Sequence, residues 1–158
     1  MQLISVAAVA DNGVIGRGGE LPWPSIPADK QQYRATVAGA PVILGRRTFE
    51  SMRDDLPGAH QVVVSRSDPT YPEESATTVA GVDAAIAASR ATGADEAYVL
   101  GGAQIYALLQ PHIDRMRLSR VHGKFEGDSR YPSYDPARWE LLESIPHDRF
   151  TIERWRRR

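Results

Sequence analysis

Cysteine is absent from the 158 residues. That excludes disulfides, cysteine-ligated zinc and a thiol nucleophile. An excess of charge of one sign is absent too: 19 Lys and Arg stand against 20 Asp and Glu, for a net charge of −1. This balance gives no electrostatic basis for binding nucleic acid or a membrane surface. Long apolar runs are missing. The apolar part of MQLISVAAVADNG is too short for a membrane span and has no basic stretch before it, so a cytoplasmic protein is expected. His60, His112, His122 and His147 are scattered, without ligand spacing to a carboxylate, and no metal site is expected. Neither G-x-G-x-x-G nor a nucleophile elbow is present. Lysine is scarce, with Lys30 and Lys124 alone, a bias that specifies no function.

What is there is enough for an ordinary core, since 42% of the residues are hydrophobic. No linker or internal repeat divides the chain, so one domain over 1–158 is expected. Leu3 to Ala10 is nearly all apolar and reads as a strand buried on both faces, central in a parallel sheet. Further strands are expected at Pro41–Gly45, His60–Ser65, Thr77–Ala80, Glu96–Leu100 and Met116–Val121. Helices are expected from Ala28 onward, over Arg46–Met52, Val82–Ala91 and Ala103–Leu109. Gly123–Tyr134 reads as a loop, and Trp139–Ile145 with Phe150–Trp155 as a final antiparallel pair. The expectation is an α/β domain, its sheet mostly parallel with antiparallel edge strands.

The central stretch is VIGRGGELPWPSIPADKQQYRATV, Val14 to Val37. Its glycine-rich opening has the backbone freedom of a lid. On the helix that follows, Asp29, Tyr33 and Val37 share one face, with Ile26 just ahead. Asp29 is the one carboxylate on that face, and no partner is expected within four residues. Apolar surroundings disfavour a charged carboxylate, which makes Asp29 a candidate acid or ligand anchor. An aspartate in a first helical turn also suits a cap. Two strands, VILG and AYVLGG, end in glycine and pass straight into helices. Helix starts of that kind suit anions. Arg46, Arg47 and Arg66 stand at strand ends, where open α/β sheets bind ligands. A polyphosphate ligand is expected there.

The markers VIGRGGELPW, PADKQQYR, VILGRRTFESM, LPG, VVVSR, YVLGGAQIY and EGDSRYP together resemble the dihydrofolate reductase family, in its order and spacing. The resemblance covers nearly the whole chain. It implies a twisted eight-stranded sheet with flanking helices, in a monomer. It implies NADPH-dependent reduction of 7,8-dihydrofolate to tetrahydrofolate, which feeds one-carbon metabolism and thymidylate synthesis and is an antifolate target. By the same resemblance Asp29 is the active-site acid, binding the pterin's N–C–NH₂ edge and promoting protonation of N5. Trp23 orders water near it, and Leu21 lies on the loop that closes over the nicotinamide. Ala8, Tyr33, Met52, Leu56, Leu100, Tyr106 and Ser119 surround the substrate, with Ser119 behind the acid. Ala8, Ile15, Gly16, Gly45, Arg46, Arg47, Thr48, Ser65, Arg66, Gly101, Gly102, Ala103, Gln104 and Ile105 form the NADPH site. Arg46 and Arg66 hold the adenosine 2′-phosphate, and the Gly101–Gly102 bond is cis.

Two features depart from the family's pattern. WPSIPAD is one residue longer than in many bacterial members. After Leu56-Pro57-Gly58 stands Ala59, where the family usually has an arginine for the glutamate tail. Arg34 and Arg53 are the candidates to replace it. A pyrimidine reductase of riboflavin synthesis and a non-catalytic NADPH-binding protein are the competing readings. The PAD-x-x-x-Y pattern argues against the first and the intact acid against the second.

Overall fold

The computed structural model describes residues 1–158. Its centre is β1 (Gln2–Ala10), whose side chains are buried on both faces except at its first residue and at Ala8. In chain order there follow β2 (Val14–Gly16), α1 (Pro27–Val37), β3 (Pro41–Gly45), α2 (Arg46–Ser51), β4 (His60–Val64) and β5 (Ala76–Val79). Then come α3 (Val82–Ala91), β6 (Glu96–Gly101), α4 (Ala103–Leu109), β7 (Arg115–Val121), β8 (Ser129–Arg130), β9 (Trp139–Pro146) and β10 (Phe150–Arg157). Eight strands form one sheet in the order β5-β4-β3-β6-β1-β7-β10-β9. Every pairing from β5 to β7 is parallel, and β10 runs antiparallel to both β7 and β9. This is the mostly parallel sheet with an antiparallel C-terminal edge.

Period-two alternation along β1 divides the core. Ile4 and Val6 pack with Val42, Leu44, Val63 and Tyr98 against Val37 of α1 and Phe49 of α2. Leu3, Ala7 and Val9 pack on the other face with Ala85 of α3 and Ile105, Tyr106 and Leu109 of α4. In α3, Ala85 and Ser89 are buried and Val82 and Ile86 pack beside them, the face its spacing predicts. One reading needs correction. The segment 123–134 is not all loop: β8 within it pairs antiparallel with β2 in a separate two-stranded sheet. Strands of three and two residues carry no readable periodicity, which is why the pairing escapes sequence inspection.

The sheet opens where the site must lie. Pairing of β1 with β6 ends at Ser5↔Val99, although β1 stays paired with β7 through Ala10↔Val121. Beyond that point the Tyr106 hydroxyl, 2.6 Å from the Val6 carbonyl and 2.9 Å from the Leu100 carbonyl, shares its one proton between the two strands. Burial pushes that hydroxyl well above the ordinary tyrosine value, so it remains a donor. The parted carboxyl ends of β1 and β6 leave a crevice, the usual ligand position in an open α/β sheet.

Candidate active site

The crevice is a cavity of about 600 Å³, large enough for two ring systems side by side. From β1 it receives Ala8, and from β2 Ile15 and Gly16. The following loop supplies Leu21 and Trp23, and α1 supplies Asp29 and Tyr33. Arg47, Thr48 and Met52 come from α2 and its end, Leu100 and Gly102 from β6 and its end, Ala103 and Tyr106 from α4, and Ser119 from β7. All of these were singled out from the sequence. Leu56 does not line the cavity but packs beside Tyr33, Met52 and Leu100 against the core on the α1 side. Gly45, Arg46, Ser65, Arg66, Gly101, Gln104 and Ile105 also lie outside its lining. Ser65 and Arg66 follow β4 directly, and Gln104 is exposed.

The glycines at the strand ends have different tasks. Gly101 has φ +106°, and a Cβ there would stand 2.7 Å from the Tyr106 ring. The Gly101–Gly102 bond is cis. A Cβ on Gly102 would meet only Thr48 Oγ1, at 3.7 Å. Gly102 therefore keeps the cavity floor open rather than relieving a clash.

Asp29 is not a helix cap. The cap position is Ile26, with no side-chain cap bond. The Asp29 carboxylate instead accepts on Oδ1 from Ser119 Oγ at 2.5 Å and from Gln32 Nε2 at 2.8 Å. The expectation that no partner lies within four residues is wrong. Residues i and i+3 are neighbours on a helix surface, and a glutamine is long enough to turn back. Gln32 is itself held by Arg117 of β7, whose Nε and Nη2 donate to its Oε1 at 3.1 and 3.0 Å. Burial and the nearby Arg154 hold the Arg117 guanidinium below the usual arginine value.

The loop over the cavity is tied at both ends. Gly18 N–H donates to Asp128 Oδ2 at 3.0 Å, and Asp128 N–H donates to the Gly16 carbonyl at 3.0 Å. Trp23 is buried with its ring edge-on to Phe125. The longer segment after Trp23 is pinned by Arg149, which donates to the Pro24 and Ser25 carbonyls at 2.8 and 2.7 Å. Leu21, between these ties, is 59% exposed. Sequence reading missed Gln32, Arg117 and Arg149, because their partners lie far along the chain or on the backbone. It also missed Ile26, Lys30 and Ser129 in the lining.

Ala59 is exposed and offers only its N–H, which donates to the Ala40 carbonyl. Both proposed substitutes are already paired with a carboxylate, although the Nε of Arg34 has no partner. Arg53 is bound to Glu73 by two hydrogen bonds of 2.6 and 2.8 Å. Arg34 donates to the Asp55 carbonyl at 2.7 Å and pairs with its carboxylate at 3.3 Å.

A crevice at a sheet switch point, half hydrophobic in its lining, bordered by a loop and holding a bonded carboxylate, is the kind of site an α/β enzyme has. Residues 2–155 match the family model described as dihydrofolate reductase. The chain is 39% identical over 147 residues to dihydrofolate reductase type 3 of Salmonella typhimurium, covering 93% of this chain and 88% of that one. It is 34% identical to the dihydrofolate reductase HdrB of Haloferax volcanii, covering all of this chain and 84% of that one. Dihydrofolate reductase from Enterococcus faecalis, complexed with NADP(H) and RAB-propyl, superposes with a TM-score of 0.84 at 27% identity, over 99% of this chain and 96% of that one. The chain belongs to the dihydrofolate reductase family.

Proposed function

We propose that Asp29 is the acid of this site and that Tyr33, Met52, Leu100 and Ser119 hold the substrate ring beside it, in a monomeric cytoplasmic enzyme of one domain. As a dihydrofolate reductase, the chain catalyses NADPH-dependent reduction of 7,8-dihydrofolate to tetrahydrofolate. The observation that carries the assignment is Asp29 in the cavity wall beside Tyr33, Met52 and Leu100, with both hydrogen bonds on Oδ1 and none from protein on Oδ2. A carboxylate so placed can bind an amidine-like N–C–N edge and assist proton delivery to the neighbouring ring nitrogen. The apolar walls align the rings and exclude water.

The remaining residues fit NADPH. Gly102 and Thr48 leave room at the cavity floor, and Arg47 and Ala103 extend its wall. Arg46 and Arg66 stand at the carboxyl ends of β3 and β4, where a phosphate would be met. Bound there, NADPH supplies the hydride. Arg46 is oriented by Glu50, 3.2 Å away, whose carboxylate also accepts from the Tyr71 hydroxyl. Each charge-assisted hydrogen bond is worth about 1.5–3 kcal/mol before solvent screening. Arg46→Ala with Arg66→Ala should therefore weaken NADPH by roughly ten-fold or more and leave NADH within about two-fold. Fluorescence titration of both cofactors checks this. Equal losses would show that these arginines do not read the 2′-phosphate.

The open position at Ala59 makes its own test. A guanidinium binds a carboxylate through two parallel bonds; Arg53 already makes that pair with Glu73, and Arg34 is tied to Asp55. Ala59→Arg should lower KM for dihydrofolate about five-fold with kcat nearly unchanged, because the tail contact is alike in ground and transition states. A pterin lacking the glutamate tail should gain nothing. If both substrates respond alike, or dihydrofolate binds no better, the idea of a weakened tail site is wrong.

Identity with the family leaves the acid to be tested by steady-state rates of Asp29→Asn across pH, with NADPH and dihydrofolate saturating.

A further inference from the structure

We propose that Gln32 and Arg117 are positioning residues for Asp29, the guanidinium fixing the amide and the amide bonding Oδ1 so that Oδ2 is left for the ligand. This rests on the reading of Asp29 as the acid. A guanidinium has donors only, so its two bonds to Gln32 Oε1 determine which way the amide faces. Nε2 must then turn toward Asp29. It donates to Oδ1 at 2.8 Å and lies 3.2 Å from Ser119 Oγ, which donates to the same oxygen. Donors on a carboxylate favour its charged form and offset its removal from water. The positive charge on Arg117 polarises the amide and strengthens the N–H that Asp29 receives.

The other charged and titratable groups around the carboxylate do not share this task. Lys30 and Tyr33 of α1, Arg47 of α2, Tyr106 of α4 and Glu20 of the loop line the same cavity, but only Gln32 and Ser119 bond to Asp29. Behind Arg117, Arg154 of β10 is bound to Glu143 of β9 at 2.7 Å. Arg117 is left to serve Gln32. A packing role for Gln32, joining α1 to β7, is the simpler explanation, and one substitution separates the two. Gln32→Glu keeps the size and gains an ionic bond to Arg117. It also replaces the N–H donor with a second negative charge facing Asp29.

The probe is 2,4-diaminopyrimidine, whose protonated amidine edge pairs with an ionised carboxylate. Its affinity across pH has two limbs: the upper belongs to the pyrimidine, the lower to the carboxylate it pairs with. Gln32→Met and Arg117→Met should each move the lower limb up by about one pH unit and leave the upper limb in place. Gln32→Glu should move it further. The double Met variant should move it no more than either single one, because the two residues act in series. Asp29→Asn should abolish the lower limb, and adding Gln32→Met to it should change nothing more. Affinity scaled equally at all pH values in Gln32→Glu, or additive shifts in the double variant, would overturn the relay. A lower limb that survives Asp29→Asn would instead overturn the reading of Asp29. Arg117→Lys, which keeps the charge and loses the two-pronged bond, covers the case in which Arg117→Met does not fold, and should shift the limb in the same direction.

Discussion

Asp29→Asn is expected to lower kcat at neutral pH by a factor on the order of 10² to 10⁴, the range that acid–base assistance usually supplies. Asparagine keeps the shape of the side chain, and its carbonyl oxygen can still accept from Ser119 and Gln32. What it lacks is the charge that stabilises a protonated ring. Activity of the variant should recover as pH falls, because the substrate then arrives protonated from solvent. Under single-turnover conditions with both ligands saturating, the hydride-transfer rate should show this rise where product release cannot mask it. A pH–rate profile unchanged from the wild type would remove Asp29 from the chemistry.

Gly101→Ala is expected to cost about 2–6 kcal/mol of stability, a large share of the total for a domain of this size. Two independent terms contribute. The backbone at Gly101 has φ +106°, a region in which an L side chain is strained by about 1–3 kcal/mol. The added Cβ would also stand 2.7 and 2.9 Å from two carbons of the Tyr106 ring. That ring cannot give way cheaply, because its hydroxyl is bonded to the carbonyls of Val6 and Leu100 and its body is buried. Overpacking of this kind costs about 1–3 kcal/mol. Urea titration should show a lower midpoint with the slope unchanged. Gly102→Ala is the contrast. Its Cβ would make one ordinary contact at 3.7 Å, so the midpoint should hold while NADPH binding weakens in the narrowed cavity. Equal midpoints for the two variants would show that neither the positive φ nor the Tyr106 ring constrains position 101.

Much of the scaffold is legible in the sequence where local signals and burial agree. The limits of α3 follow from Gly81 before it and Thr92-Gly93 after it, and its buried face from the spacing of Val82, Ala85, Ile86 and Ser89. The central place of β1 follows from an apolar run with no polar face. The cavity lining came from the family resemblance rather than from periodicity, and most of it is brought together. What could not be read depends on contacts between distant residues. Gln32 looks like any polar residue on a helix until β7 places Arg117 beside it, 85 positions later. Arg149 looks like a turn residue until its side chain reaches Pro24 and Ser25, more than 120 positions back. The pairing of β2 with β8 is set by Asp128 bonding to the Gly16 carbonyl and the Gly18 N–H, which no local pattern announces. The reading of Asp29 as a carboxylate without partners fails for the same reason, since Ser119 reaches it from β7 and Arg117 turns Gln32 toward it.

The most direct test is the spectrophotometric rate of NADPH oxidation by the purified chain with dihydrofolate as the only acceptor, alongside the aminopyrimidine substrate of riboflavin synthesis. The predicted result is NADPH consumed mole for mole with tetrahydrofolate formed, no turnover of the aminopyrimidine, and loss of the rate in Asp29→Asn at neutral pH. NADPH binding without oxidation by dihydrofolate, or turnover of the aminopyrimidine alone, would contradict it.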